Sequence, residues 1–209
     1  MLRYLCCLSA ICIIGTTPVR AEVPSFKSVR ESFRVSDGLL LDRHGEILQQ
    51  IRLRHSDRLL EWIRFSELSP AFTHALTFVE DKHFFSHQGV DFPALVAGGI
   101  SSLQGRARGA STITMQLQRL LYGGKGRRNL WQKWGQIKFA WEIEQRWSKE
   151  QIFEAYVNLV SFRGELRGIA AATRAIFGKA PHGLDSKEAF YLVAMLQAPG
   201  ASKGRLLER

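Results

Sequence analysis

The stretch that decides the fold reads TFVEDKHFFSHQGVDF and runs from residue 77 to residue 92. Two carboxylates, Glu80 and Asp81, stand directly before an aromatic pair, Phe84 and Phe85. An acid beside aromatic side chains needs a partner or a task, because burial of an unpaired charge is costly. The stretch therefore marks Glu80 as a candidate functional residue.

A helix is predicted to lead into this stretch. A Ser-Pro pair at residues 69–70 is a favourable N-cap and first helical residue. Phe72, Leu76 and Val79 then recur at helical spacing and define one apolar face. Glu80 follows at the edge of that face, where partial burial suits a proton acceptor. The alternative is a structural acid at the helix end, paired with a neighbouring lysine or arginine.

A second helix start is predicted in GASTITMQLQRLL, which begins at residue 109. Either Ser111 or Thr112 can serve as its N-cap. The free N–H groups of a helix start favour a phosphate or sugar oxygen. The sequence also places basic residues around this start, at Arg106, Arg108 and Arg119. The alternative is an ordinary cap among surface arginines.

Other segments give a coarse architecture. LLLDRHGEILQQIRL, from residue 39, predicts a β-hairpin with its turn at 42–45. YGGKGRRNLWQKW, from residue 122, begins with a basic, Gly-rich loop that suits pyrophosphate or serves as a solvated linker. The following helix carries an apolar stripe that is predicted to be core, made of Trp131, Trp134, Ile137 and Trp141.

Composition indicates a globular, exported chain. With 209 residues, 45% hydrophobic and 23% charged, it is long enough for one domain with a core. Residues 1–21 have a basic start and a short apolar run, and they predict a signal peptide or membrane anchor before a domain at 22–209. All three cysteines lie in this segment, which leaves the domain without a disulfide or thiol nucleophile.

The charge of the chain indicates an anionic partner. The formal net charge is +10, which suits nucleic acid, a phospholipid surface or a phosphorylated substrate. Export argues against nucleic acid. The membrane surface and phosphorylated lipids are therefore the expected partners.

Taken in order, these segments resemble the peptidoglycan glycosyltransferases of family 51. This family includes the transglycosylase module of class A penicillin-binding proteins and the monofunctional murein polymerases, and the 1c type is the most similar. The resemblance covers roughly residues 37–200. It rests on five ordered motifs: EDKHFFSHQGVD (80–91), GASTITMQ (109–116), KWGQ (133–136), SKEQIFEAYVNLV (148–160) and GIAAATRAIFGK (168–179).

The resemblance implies a mostly α, two-lobed, lysozyme-like glycosyltransferase domain with a short N-terminal β-hairpin. It implies that lipid II is polymerised into β-1,4 glycan strands with release of undecaprenyl pyrophosphate. The expected location is the periplasmic face of the cytoplasmic membrane. The expected partners are lipid II, the growing glycan strand, the membrane surface and other cell-wall synthesis proteins.

The resemblance also implies residue roles. Glu80 falls on the general base, and Gln136 falls on a second catalytic position. Positions implied to bind substrate are Asp81, Phe85, His87, Ser111, Thr112, Gln116, Arg119, Lys133, Glu154 and Asn158. Arg119 replaces the family's usual lysine, and Lys133 falls on the residue that binds pyrophosphate. The fourth motif also contains Tyr156, and its positions are structural or line the substrate.

One departure from the family pattern concerns Gln136, where the family usually has glutamate. An amide hydrogen-bonds a sugar or phosphate, but it is a poor ligand for Mg²⁺ or Mn²⁺. We therefore assign no metal ligand and expect no certain cofactor, although a divalent metal is possible in the family. The absence of S-x-x-K and K-T-G motifs predicts a monofunctional enzyme without a transpeptidase site.

Two alternatives stay open at this point. The first is a catalytically degenerate module that binds lipid II or peptidoglycan, or acts as a scaffold in the cell envelope, and Gln136 favours it. The second is a lytic glycosidase of the lysozyme type. A single glutamate with an amide partner argues against a hydrolase that needs two carboxylates.

Overall fold

The computed structural model describes residues 23–93, 95, 111–123 and 130–197. The predicted signal or anchor segment, residues 1–21, lies outside this part of the chain. So do Arg106, Arg108 and most of the predicted basic loop.

The described part is mostly helical, as predicted. Its α-helices are α1 (Phe26–Ser32), α2 (Pro70–Glu80), α3 (Ile113–Tyr122), α4 (Leu130–Glu144), α5 (Lys149–Leu159), α6 (Ile169–Phe177) and α7 (Ser186–Gln197). Its strands are β1 (Asp37–Leu41), β2 (Ile47–Arg52), β3 (Arg58–Leu59), β4 (Ser161–Arg163) and β5 (Leu166–Arg167). Two short 3₁₀ turns complete it, at Phe65–Glu67 and Pro181–Gly183. Within these residues no helix has both the length and the apolar character needed to cross a bilayer.

The predicted N-terminal β-hairpin is confirmed. Strands β1 and β2 pair antiparallel, with Asp37 opposite Arg52. In the turn, the Asp42 carboxylate accepts hydrogen bonds from the backbone N–H groups of His44 and Glu46, both at 2.8 Å. This local bonding explains why the hairpin is visible in the sequence alone.

A second, three-stranded sheet connects distant parts of the chain. Strand β3 pairs parallel to β5, and β4 pairs antiparallel to β5. Gly168, which follows β5, has a positive φ of 78° and lies close to the last turn of α5, since a Cβ there would be 2.8 Å from the Asn158 carbonyl oxygen. Glycine is required by both the conformation and the contact.

The core is formed mainly by α2, α5, α6 and α7. Among its fully buried side chains are Phe72, Phe84, Phe153 and Phe162. The apolar face predicted for α2 is confirmed, because Phe72 and Leu76 are buried in this core and Val79 packs against it. The predicted start of α2 is confirmed too, with Ser69 accepting a backbone hydrogen bond as N-cap, and Ser148 caps α5 in the same way.

The apolar stripe of α4 is predicted to be core, and this is wrong for Trp141, while the side chains of Trp131 and Trp134 lie outside the described residues. Trp141 is 54% exposed. The stripe's Ile137 is partly buried and packs on a small cluster formed by Val90, Met115 and Ala140. Helical spacing identifies a shared face, but α4 presents its Ala140 side to the neighbouring loop, which turns Trp141 outward.

Candidate active site

Glu80 is the last residue of α2 and is half-buried. Its Oε2 accepts a hydrogen bond of 2.8 Å from Nε2 of Gln116 on α3. The Oε1 of Gln116 in turn accepts a hydrogen bond of 2.9 Å from the hydroxyl of Tyr156 on α5. Three helices therefore fix the position of one carboxylate.

The hydrogen bonds of the series from Tyr156 through Gln116 to Glu80 are all donated in the direction of Glu80. Burial, and then the negative charge of Glu80, raise the pKa of Tyr156, so the phenol stays protonated and donates. The Gln116 amide must then present its oxygen to Tyr156 and its NH₂ to Glu80. Among the described residues, the second carboxylate oxygen of Glu80 has no hydrogen-bond partner. A free oxygen on a fixed carboxylate is what a general base requires.

Asp81 is buried and organises the loop that follows α2. Its two oxygens both lie 3.0 Å from Nε2 of His87. One of them also accepts the backbone N–H of Ile113, at the start of α3, at 3.0 Å. Because Nδ1 of His87 accepts the N–H of Gly89 at 3.0 Å, Nε2 is the nitrogen that carries the proton toward Asp81. The carboxylate is also favourably placed near the positive end of α3.

The start of α3 is capped by Thr112, one of the two predicted caps. Its Oγ1 accepts the N–H of Met115 at 3.2 Å and donates to the Gly89 carbonyl oxygen at 2.7 Å. Ser111, the other candidate, is half-buried just before the cap. The glycine-containing loop and the helix start thus form one bonded unit.

Gly89 permits a close approach between this loop and α4. It has a φ of +87°, and a Cβ there would lie 2.6 Å from the Ala140 carbonyl oxygen. Backbone atoms cannot move aside as a flexible side chain can. The loop that carries Asp81 and His87 therefore depends on glycine at this position.

We expect Gly89→Ala to lower the free energy of unfolding by about 3 kcal/mol, combining backbone strain and overpacking. Gly164→Ala is the matched control, because Gly164 also has a positive φ, of +54°, with nothing within 4 Å of an added Cβ. It should lose only about 1–2 kcal/mol. Urea denaturation of both variants measures the difference, and equal losses would contradict the proposed close contact.

Two further residues with implied substrate roles, Phe85 and Arg119, are exposed. Phe85 is 53% exposed and lies over the buried Phe153, with nearly parallel rings 6.5 Å apart. Its neighbour Phe84 is fully buried and belongs to the core. Arg119 is exposed on α3, about one turn beyond Gln116, and has no carboxylate partner among the described residues.

The third motif lies on α4. Gln136 is half-buried, and position 133 precedes it by about one helical turn. Ala140, one turn further on, is buried where Gly89 approaches. Helical spacing therefore places positions 133 and 136 on the face of α4 that carries Ala140. The Lys133 side chain lies outside the described residues, and its role stays a prediction.

Glu154 and Asn158, both implied to bind substrate, hold the 62–65 segment against α5. Glu154 accepts the indole N–H of Trp62 at 2.6 Å and the backbone N–H of Phe65 at 2.8 Å. Asn158 accepts the N–H of Ile63 at 2.9 Å and donates to its carbonyl oxygen at 2.7 Å. The resemblance implies that the positions of the fourth motif are structural or line the substrate, and these contacts favour the structural role. Contact of Glu154 and Asn158 with substrate stays a prediction.

Sequence reasoning missed a half-buried ion pair between α4 and α5. Glu144 on α4 accepts hydrogen bonds from Thr114 of α3 and Lys149 of α5, both at 2.7 Å. The Lys149 ammonium also lies 4.7 Å from the centre of the Phe84 ring. Lys149 belongs to the fourth motif, but its partner Glu144 lies in a segment without a motif. There is therefore no indication in the sequence that the two residues form a pair.

The site thus joins the carboxylate of Glu80, the amide of Gln116 and the phenol of Tyr156 from three helices. Across the described residues, no group of three or more His, Cys, Asp or Glu side chains is arranged to hold a metal ion.

The chain belongs to the transglycosylase family, whose family model matches residues 44–206. It is 34% identical over 167 residues to penicillin-binding protein 1C of Escherichia coli, covering 70% of this chain and 21% of that protein. It is 33% identical over 141 residues to a biosynthetic peptidoglycan transglycosylase of Acinetobacter baumannii, covering 66% of this chain and 62% of the relative. Penicillin-binding protein 4 of Bacillus subtilis is 29% identical over 167 residues, which are 79% of this chain.

The matched regions span between 21% and 62% of the length of these curated relatives. The predicted resemblance to family 51 is confirmed, including its likeness to proteins of the 1C type.

Proposed function

We propose that this protein polymerises lipid II into β-1,4 glycan strands and releases undecaprenyl pyrophosphate. The observation that carries the proposal is the series from Tyr156 through Gln116 to Glu80, which orients one carboxylate and leaves one of its oxygens without a hydrogen-bond partner among the described residues. Membership of the transglycosylase family supports the reaction class, and a relative is named a biosynthetic peptidoglycan transglycosylase.

The reaction needs one base and a stabilised leaving group. The 4-hydroxyl of the acceptor sugar attacks the anomeric carbon of the donor, while its proton passes to the free oxygen of Glu80. The bond from that carbon to the lipid pyrophosphate breaks, and the leaving group takes the electron pair. One direct displacement inverts the anomeric carbon and needs no covalent enzyme intermediate.

Basic side chains assist the departure of the pyrophosphate in this mechanism. Arg119 lies one turn from Gln116 and is exposed without a carboxylate partner in the described part of the chain. Lys133 occupies the family position for pyrophosphate binding. Cations placed where charge develops contribute strongly to phosphate departure. Together with Glu80 they supply the two requirements of the reaction.

Incubation of the protein with lipid II, and separately with finished glycan, tests the proposal directly. Polymer from lipid II and no fragments from glycan are expected. Fragments from glycan would indicate the lytic glycosidase, and neither product would indicate a binding module. The same assay in vesicles tests the expected placement at the periplasmic face of the cytoplasmic membrane.

The second candidate function is a degenerate module that binds lipid II or peptidoglycan, or acts as a scaffold. Gln136 is the observation that favours it, because an amide stands where the family usually has a carboxylate. In this alternative, other cell-wall synthesis proteins would supply the chemistry.

We expect turnover to change less than about threefold on addition of Mg²⁺ or Mn²⁺, because the amide of Gln136 is a poor ligand for hard cations. Gln136→Glu should be neutral or harmful, since it adds a negative charge near the departing phosphates. Polymerisation by both forms, each with and without metal, measures this. An inactive native protein that the substitution activates would support the degenerate module instead.

A further inference from the structure

A groove of about 540 Å³ lies where α1 meets the C-terminal ends of α3 and α5. Residues 120–122 of α3, Leu-Leu-Tyr, supply an apolar wall. Three arginines also line it, Arg34, Arg54 and Arg167. We refer to this feature as the arginine groove. It is separate from the polar series at Glu80, none of whose members lines it.

The charges in the arginine groove are not balanced. Arg54 and Arg167 both lie beside the carboxylate of Asp57, at 3.4 and 3.5 Å. Arg34 donates to backbone carbonyl groups of its own segment and has no carboxylate partner among the described residues. Three positive charges therefore meet one negative charge. An excess of guanidinium groups beside an apolar wall suits a phosphate that is attached to a hydrocarbon chain.

The groove lies near the N-terminal end of the described structure, and this position indicates a membrane lipid as the source of the phosphate. Pro24 lines the groove and follows closely after the apolar run at residues 4–14, which the sequence predicts as a signal or anchor segment. An anchored chain would enter the described structure beside the groove. An acyl chain in the groove would also contact Tyr122, which is 39% exposed.

We propose that the arginine groove binds the phosphate headgroup of an anionic phospholipid, with the beginning of an acyl chain against residues 120–122. The lipid here is a constituent of the membrane and not a substrate. The inference goes beyond the glycosyltransferase reaction, and it holds whether or not Glu80 is a base.

The probe is a short-chain phosphatidylglycerol, kept below its critical micelle concentration and titrated into the full chain by calorimetry. It should bind at least about tenfold more tightly than glycerol phosphate, because the chain adds apolar contact. It should also bind at least about tenfold more tightly than short-chain phosphatidylcholine, which has no net negative charge. Equal binding of glycerol phosphate would indicate a site for free phosphate, and equal binding of phosphatidylcholine a purely apolar groove; either result would overturn the proposal.

A pair of matched double variants tests the residues. Arg34→Gln with Arg54→Gln should weaken lipid binding about 30-fold, at about 1 kcal/mol for each basic residue near a lipid phosphate. Arg43→Gln with Lys187→Gln removes the same charge from exposed positions outside the groove and should change binding less than about threefold. Equal weakening in both variants would show attraction to overall charge and would refute a defined site.

Two further measurements separate a loss of lipid binding from a loss of folding or of polymerisation activity. Thermal unfolding of each double variant verifies that the chain still folds. Lipid II polymerisation is measured separately, so a failure of the lipid site is distinguished from a failure of the proposed reaction.

Discussion

Glu80→Gln is expected to reduce lipid II polymerisation by about 10²- to 10⁴-fold, the usual contribution of a general base. The amide is isosteric with the carboxylate, and its oxygen still accepts the hydrogen bond that Gln116 donates at 2.8 Å in the native chain. The local packing and lipid II binding should therefore be nearly unchanged. Single-turnover polymerisation assays and a lipid II binding isotherm measure the two effects separately.

Glu46→Gln is the matched control for Glu80→Gln. Glu46 lies in the exposed hairpin turn, where its backbone N–H and carbonyl groups both pair with Asp42, and its side-chain carboxylate has no partner among the described residues. The control removes one carboxylate from the same protein, so a loss of activity from net charge alone would show in both variants. Polymerisation by Glu80→Gln at a rate near that of the native protein would refute the assignment of the base.

Lys133→Ala is expected to lower turnover by about 10²- to 10³-fold, as loss of a group that stabilises developing charge does. The pyrophosphate leaves with negative charge, and the resemblance to the family predicts that the Lys133 ammonium lies against it. Lys133→Arg retains the charge but changes its geometry, so its loss should be smaller. Pre-steady-state turnover at saturating lipid II measures the effect on departure separately from substrate binding.

The control for this second prediction is Lys125→Ala, in the glycine-rich basic segment. Residues of a solvated linker contribute to general attraction and not to one phosphate, so its loss should stay below about threefold at moderate salt. Equal and small effects at both positions would show that these charges only favour the membrane surface. Such a result would leave Arg119 as the cation to test.

Several features could be predicted from local sequence. The hairpin turn is fixed by Asp42 and its neighbours, and the start of α2 by its Ser-Pro pair, since both depend on bonds within a few residues. The apolar face of α2 follows from helical spacing. The ordered motifs predicted the family, which the transglycosylase match confirms.

The site was only partly predictable. Glu80 was singled out by its place beside an apolar face, but spacing left open whether it pairs with a cation or acts as a base. Its partners stand 36 and 40 positions apart along the chain, from Glu80 to Gln116 and from Gln116 to Tyr156. Contacts at such separations arise from the packing of helices, which local patterns do not encode.

The amino-acid sequence is enough to show which residues share a helix face and to which family their order belongs. The tertiary structure alone decided which polar side chains meet. It turned Glu154 and Asn158 toward the 62–65 backbone and joined Asp81 to His87 and the start of α3. A buried polar group must form hydrogen bonds with the polar groups that lie next to it after packing. Which groups lie next to it depends on the whole fold.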